Sequence, residues 1–254
     1  MEHVVQYAVG TIRERYWEPL SLDDLARGAM VSKFHFLRVF TRVTGVTPGR
    51  FLTAVRLQEA KRLLLSTSVT VADVSAQVGY SSTGSFTRRF TASVGISPTQ
   101  YRRLSLDPAI QTPDLTGAED EPAPGQPAAP RPTGSLRGTL RAPASDLSSV
   151  FVGAYDGAIL EGSPVRWSNV RASGRFTLAD VPTGTWYIHA VAHSARPARA
   201  VGPDPDALAA TVGPVEVSGG AGSLVDMTLA PLDWSRPPIL SAAMDIDQLL
   251  PAAA

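Results

Sequence analysis

The chain of 254 residues reads as two domains in series, helical first and β second. Three observations predict this multidomain α-then-β class. Apolar residues recur at spacings of three and four before residue 105, and at spacings of two beyond residue 134. Between these stretches, Ser105–Thr133 holds 7 prolines and 5 acids in 29 residues, a composition of extended linkers. Charge divides at the same place: residues 1–104 carry a net +7 and residues 105–254 a net −7 inside a total of +0. A basic half attracts polyanions whatever the sign of the remainder. The expected organisation is a seven-helix domain over 1–104 and a Pro/acid-rich linker over 105–133. An antiparallel β-sandwich of about seven strands follows over 134–234, then a mobile tail over 235–254.

The helices follow in order. Val5, Ala8, Val9 and Ile12 make one apolar stripe, hence a helix over 3–16. Ser21-x-x-Asp24 places a hydroxyl at an N-cap and an acid three residues on, opening a helix over 22–29. Phe36, Val39, Phe40 and Val43 stripe a helix over 33–44, which Gly45 ends in left-handed geometry. Thr47-Pro48 caps the next helix, over 48–65, with proline at its first position. Thr70-x-x-Asp73 repeats the capping box before a helix over 71–77. A helix over 83–93 ends at Gly95, and Ser97-Pro98 opens the last, over 98–104.

These doublets are an internal repeat. Phe36–Phe51 matches Phe86–Tyr101 at an offset of 50, pairing Phe36 with Phe86, Arg38 with Arg88, Phe40 with Phe90 and Gly45 with Gly95. Each copy is a short helix, a tight turn and a second helix, the layout of a helix-turn-helix whose second helix enters a major groove. The first such helix exposes Lys33, Phe34, Leu37, Arg38 and Arg42, and the second Ser82, Thr83, Gly84, Thr87 and Arg88. Arginine suits readout because its fork binds guanine O6 and N7 together. The aromatics Phe36, Phe40, Phe51, Phe86, Phe90 and Tyr101 are core by spacing, and His35 is a packed or surface histidine.

The second copy, VADVSAQVGYSSTGSFTRRFTASVGISPTQYRR, and the first, LARGAMVSKFHFLRVFTRVTGVTPGRFL, carry a resemblance. Residues 5–104 resemble the DNA-binding domain of the AraC/XylS family of bacterial transcription regulators. The resemblance implies two units on one long helix, binding successive major grooves of double-stranded DNA as a monomer. Carried over by position, it implies base contacts from Phe34, Leu37 and Arg38 in the first unit. In the second unit it implies Thr83, Gly84, Thr87 and Arg88. Ser32, Lys33, Arg42 and Ser82 would hold phosphates. Two departures matter. Met30 stands where the first turn often has glycine, so a tight turn outside left-handed geometry is expected there. Gly84 and the apolar Leu37 weaken polar readout, which motivates the alternative of an interaction scaffold that no longer reads DNA.

Beyond the linker, Val150–Val152, Arg175–Leu178, Trp186–Ala190 and Leu224–Leu229 read as strands separated by Gly, Pro, Asn and Asp. The stretch 172–190 forms a hairpin with a Val181-Pro182-x-Gly184 corner, Phe176 and Leu178 facing inward. It resembles the carboxypeptidase-regulatory-like, transthyretin-like β-sandwich family, which implies an interaction or spacer module. The roles open to such a module are dimerisation, contact with RNA polymerase or another protein, and binding of a small molecule.

Catalysis is not expected. Cysteine is absent, which excludes disulfides, thiolate metal sites and a cysteine nucleophile. His189 and His193 share a strand face but lie about 13 Å apart at strand rise, too far for one metal. A surface or β-face role is expected for His189. No cofactor and no metal are expected. No signal-peptide core and no run of about 18 uncharged apolar residues occur, so the expected compartment is the cytoplasm. The oligomeric state is not legible.

Overall fold

The computed structural model describes residues 2–104, 132–143, 150–170, 174–192 and 207–243. The linker reading of 105–131 and His193 lie outside the described residues. Contacts divide the chain into two units, one helical and one β.

The helical unit contains seven helices: α1 (Glu2–Glu14), α2 (Leu22–Gly28), α3 (Lys33–Thr44), α4 (Pro48–Ser66), α5 (Val71–Gln77), α6 (Thr83–Val94) and α7 (Pro98–Leu104). The caps form as their residues dictate. Ser21 Oγ accepts the Asp24 N–H while the Asp24 carboxylate accepts the Ser21 N–H, and Thr70 and Asp73 repeat the exchange. Thr47 caps α4 with Pro48 behind it, and Gly45 and Gly95 end α3 and α6 at φ +76° and +96°. The repeat extends into the packing. Phe36 meets Phe40, and Phe40 meets Phe51 edge-on; Phe86, Phe90 and Tyr101 make the matching chain. All six rings are buried, and a buried phenyl of this kind contributes about 1.5–3 kcal/mol.

The turn after α2 differs from expectation. Met30 has φ +55°, in the left-handed region. The reason is the closure of the helix: Val31 N–H donates to Ala26 O and Met30 N–H to Arg27 O. That pair of bonds needs one left-handed residue. Gly79, at φ +85°, fills the same place after α5, with Tyr80 N–H on Ser75 O and Gly79 N–H on Ala76 O.

The tail also differs. Asp233–Leu240 belongs to the helical unit. The Lys61 ammonium, on α4, donates to Ile239 O (3.3 Å) and Leu240 O (3.2 Å), and Arg13 donates to Trp234 O (3.2 Å). Leu240 is buried, as is Lys61, whose ammonium also lies 5.7 Å from the Tyr101 ring centre. Lys61 thereby meets the acceptors that a buried ammonium requires, and Ser235–Leu240 of the expected tail groups with the helical unit. Residues 244–254 lie outside the described residues.

The β unit forms two sheets. One orders β4 (Gly174–Pro182), β1 (Thr133–Arg141) and β7 (Gly222–Leu224), with β8 (Met227–Thr228) also paired to β1. The other orders β3 (Arg166–Val170), β2 (Val150–Tyr155), β5 (Gly184–Ala192), β6 (Leu208–Val217) and β9 (Ala230–Pro231). Leu136, Phe176 and Leu178 of the first sheet and Val152, Ile188 and Ala190 of the second belong to one buried cluster.

Four features correct or refine the sequence reading. The first sheet is mixed, since β7 and β8 run parallel to β1. Close approach makes this possible: a Cβ at Gly138 would lie 1.7 Å from Val225 O. Leu224–Leu229 is two short strands rather than one, with Val225 N–H donating to Arg137 O and Asp226 accepting from Thr139 N–H between them. The segments β4 and β5 are no hairpin, because the corner at Thr183 sends them to different sheets. His189 lies on a β-face, and that face is buried. Its Nδ1 lies 2.9 Å from Thr211 Oγ1 and its Nε2 2.9 Å from Gly157 O, with Tyr155 edge-on.

Candidate nucleic-acid interface

Helix α3 buries Phe36, Val39 and Phe40, so the opposite side points outward. That outward side carries Phe34, Arg38 and Arg42, all exposed, with Leu37 half-buried beside them. Helix α6 buries Phe86, Phe90, Ser93 and Val94. Its outward side carries Gly84 and Arg88, with Thr87 half-buried and Thr83 exposed. Each helix therefore presents its expected base-facing residues together on one face.

The expected phosphate residues have present partners. Ser32 Oγ caps α3 by accepting His35 N–H, and Ser82 Oγ caps α6 by accepting Ser85 N–H (3.2 Å). Ser82 and Ser85 also join their hydroxyls at 2.9 Å. Lys33 Nζ pairs with Asp23 at 2.9 Å, with both side chains about half exposed. An exposed pair of this kind holds by about 0–1 kcal/mol. Arg38 approaches His35 Nδ1 at 3.4 Å. Arg42 sits in the last turn of α3, where its charge complements the helix dipole.

A feature that sequence reasoning missed lies beside α6. Thr53 and Arg56 of α4, Tyr80 and the α6 residues Ser85, Arg88, Arg89 and Ala92 line an open cleft of about 460 Å³. Arg56 is already engaged, donating to Tyr16 O (2.7 Å) and Glu18 O (2.8 Å) and lying over the Tyr80 ring. Burial holds its pKa below the usual arginine value and pushes the Tyr80 phenol up. Arg88 and Arg89 bring two further guanidinium groups to the same cleft. The doublet Arg88-Arg89 was visible in the sequence, but what faced Arg89 was not.

Helix α4, of 19 residues, runs about 28 Å and joins the two helix-turn-helix copies. Two helix-turn-helix units on one connecting helix define the class: a double helix-turn-helix, with two outward second helices. The family comparison agrees with a helix-turn-helix. A family model described as a helix-turn-helix domain matches residues 25–104. The chain is 33% identical over 98 residues to the lactose operon transcription activator of Staphylococcus xylosus, covering 39% of this chain and 35% of that protein. It is 39% identical over 83 residues to the HTH-type transcriptional activator AarP of Providencia stuartii, covering 33% of this chain and 62% of that one. It is similar, at 31% identity, to the solved C-terminal domain of AraT, a response regulator from Geobacillus stearothermophilus. That match covers 39% of this chain and 84% of the other, with a TM-score of 0.39. Residues 25–104 therefore match a helix-turn-helix domain, and the curated relatives that share it are transcription activators by name. The chain spans less than two thirds of the length of these curated relatives. No helix among the described residues is long and apolar enough to cross a membrane.

Proposed function

We propose that the protein is a sequence-specific transcription regulator whose two second helices, both from one monomer, read successive major grooves of double-stranded DNA. The observation that carries this reading is the matched pair of outward faces, Phe34, Leu37 and Arg38 on α3 and Gly84, Thr87 and Arg88 on α6. Arg38 and Arg88 take guanine edges, and Thr83 and Thr87 contact neighbouring bases or phosphates through their hydroxyls. Ser32, Lys33, Arg42 and Ser82 hold phosphates, and Arg89 in the cleft adds positive potential beside the second helix. A regulator of this kind meets its DNA in the bacterial cytoplasm.

The same proposal gives the β region an interaction role as a transthyretin-like sandwich, in self-association or in contact with RNA polymerase or another protein. Two sheets around one apolar cluster support that reading.

The test is selection of duplexes from a random pool by the purified full chain, followed by binding across a salt series. A steep negative slope of log affinity against log salt, with an enriched sequence, is the expected result. A slope near zero with no enrichment is what an interaction scaffold without DNA readout would give. Inserting about five base pairs between the two enriched boxes turns one about half a turn away, and affinity should fall to that of a single unit. If a full-turn insertion restores affinity, two subunits read the boxes instead.

A further inference from the structure

We infer that the two half-sites differ in chemistry: the first recognition helix reads thymine methyl groups through Phe34, and the second leaves the equivalent base pair unread. This rests on the DNA-reading proposal. The repeat superposes Phe34, Leu37 and Arg38 of α3 on Gly84, Thr87 and Arg88 of α6. The arginines coincide and the other two pairs do not.

Phe34 is 84% exposed. It stands one turn before Arg38, on the side of α3 opposite the buried Phe36 and Phe40. Lys33, paired with Asp23, precedes it, and the exposed Arg38 and Arg42 follow one and two turns on along the same side. An apolar knob in a cationic rim fits a polyanion that carries apolar groups within its surface. In the major groove of a duplex that group is the thymine C5-methyl, which Phe contacts directly. Leu37, half-buried beside it, extends the apolar surface by one neighbour.

The second helix lacks this surface. A Cβ built at Gly84 meets no atom within 4 Å, so the position faces open space and presents only backbone. Thr87 offers one small methyl and a hydroxyl. Box one is therefore thymine-bearing beside a guanine, and in box two the base pair opposite Gly84 goes unread.

The test uses the full chain and the duplex it selects from a random pool. Each thymine is replaced singly by deoxyuridine, which keeps every hydrogen-bonding group and lacks only the methyl. At one or two positions of one half-site, wild-type binding should weaken about three- to fivefold, the worth of one buried methyl. Phe34→Ala should bind the parent and those substituted duplexes equally. Exposure of Phe34 keeps that variant folded, and unchanged circular dichroism checks it. Equal binding of parent and fully deoxyuridine-substituted duplexes overturns the inference and leaves DNA reading intact. Sensitivity that persists in Phe34→Ala, or that falls equally on both half-sites, also overturns it. Absence of any enriched sequence overturns the DNA reading itself.

Discussion

The two inter-helix turns invite a reciprocal exchange. Met30 and Gly79 hold the same place, each closing its helix with the same pair of backbone bonds, yet one carries a side chain at φ +55°. A Cβ in left-handed geometry costs about 1–2 kcal/mol. Met30→Gly removes that strain. Its side chain is 91% exposed, so almost no packing is lost. The greater freedom of glycine in the unfolded chain returns about 0.5–1 kcal/mol of the gain. A net stabilisation of about 0.5–1 kcal/mol remains, raising Tm by about 2–8 °C for a unit of this size. The reverse change is asymmetric. Gly79→Ala incurs the same strain, and its Cβ would sit 2.6 Å from Trp17 O and 3.0 Å from the Arg56 guanidinium. Neither can retreat cheaply, because one is backbone and the other is bound to Tyr16 O and Glu18 O. Overpacking adds about 1–3 kcal/mol, so the variant loses about 2–4 kcal/mol in all. Thermal melting followed by far-ultraviolet circular dichroism reads both, since the seven described helices all lie in this unit. A destabilised Met30→Gly, or a neutral Gly79→Ala, would refute the assignment of both turns to one left-handed closure.

Further expectations can be checked with the same material. Arg38→Ala and Arg88→Ala should each lose about 1–3 kcal/mol on the selected duplex and relax preference at one position, whereas Lys33→Ala should weaken all duplexes alike in a gel-shift titration. Leu240→Ala should lower the stability of the helical signal by about 2–5 kcal/mol, because Leu240 is buried in the helical unit; an unchanged helical melt would detach that segment from it. A fragment of residues 1–104, lacking the acceptors of Lys61, should melt below the helical transition of the full chain. The Asp24 carboxyl lies below the usual aspartate range because Ser21 donates both its hydroxyl and its N–H to it, with Arg27 nearby. A depressed pKa contributes stability that is present above the unfolded value of about 3.9 and lost as pH falls through the folded one. Urea titrations should therefore show wild type more stable than Asp24→Asn at neutral pH, with the gap closing below about pH 4.

Within the helical region, the sequence by itself determined nearly everything that depends on near neighbours. Capping boxes at Ser21 and Thr70, proline at the head of α4 and α7, and glycine after α3 and α6 act over four residues or fewer, so their outcome is written locally. The repeat then ordered the aromatic core, since two copies with the same stripe bury the same face. Residues of the candidate interface were legible for the same reason: the side opposite a buried stripe must face outward. Tertiary structure decided what covers each face. Lys61 finds its acceptors 178 and 179 residues away and Arg13 its acceptor 221 away, distances at which no local pattern speaks. Alternation marked Phe176 and Leu178 as inward, yet it could not say that β4 and β5 join different sheets or that β7 runs parallel to β1. Between the surface and β-face roles expected for His189 the sequence could not choose, because a period of two names two faces without saying that both are covered. Met30 departs for the converse reason: closing a helix onto the next demands a left-handed residue there, and the chain imposes it on a methionine.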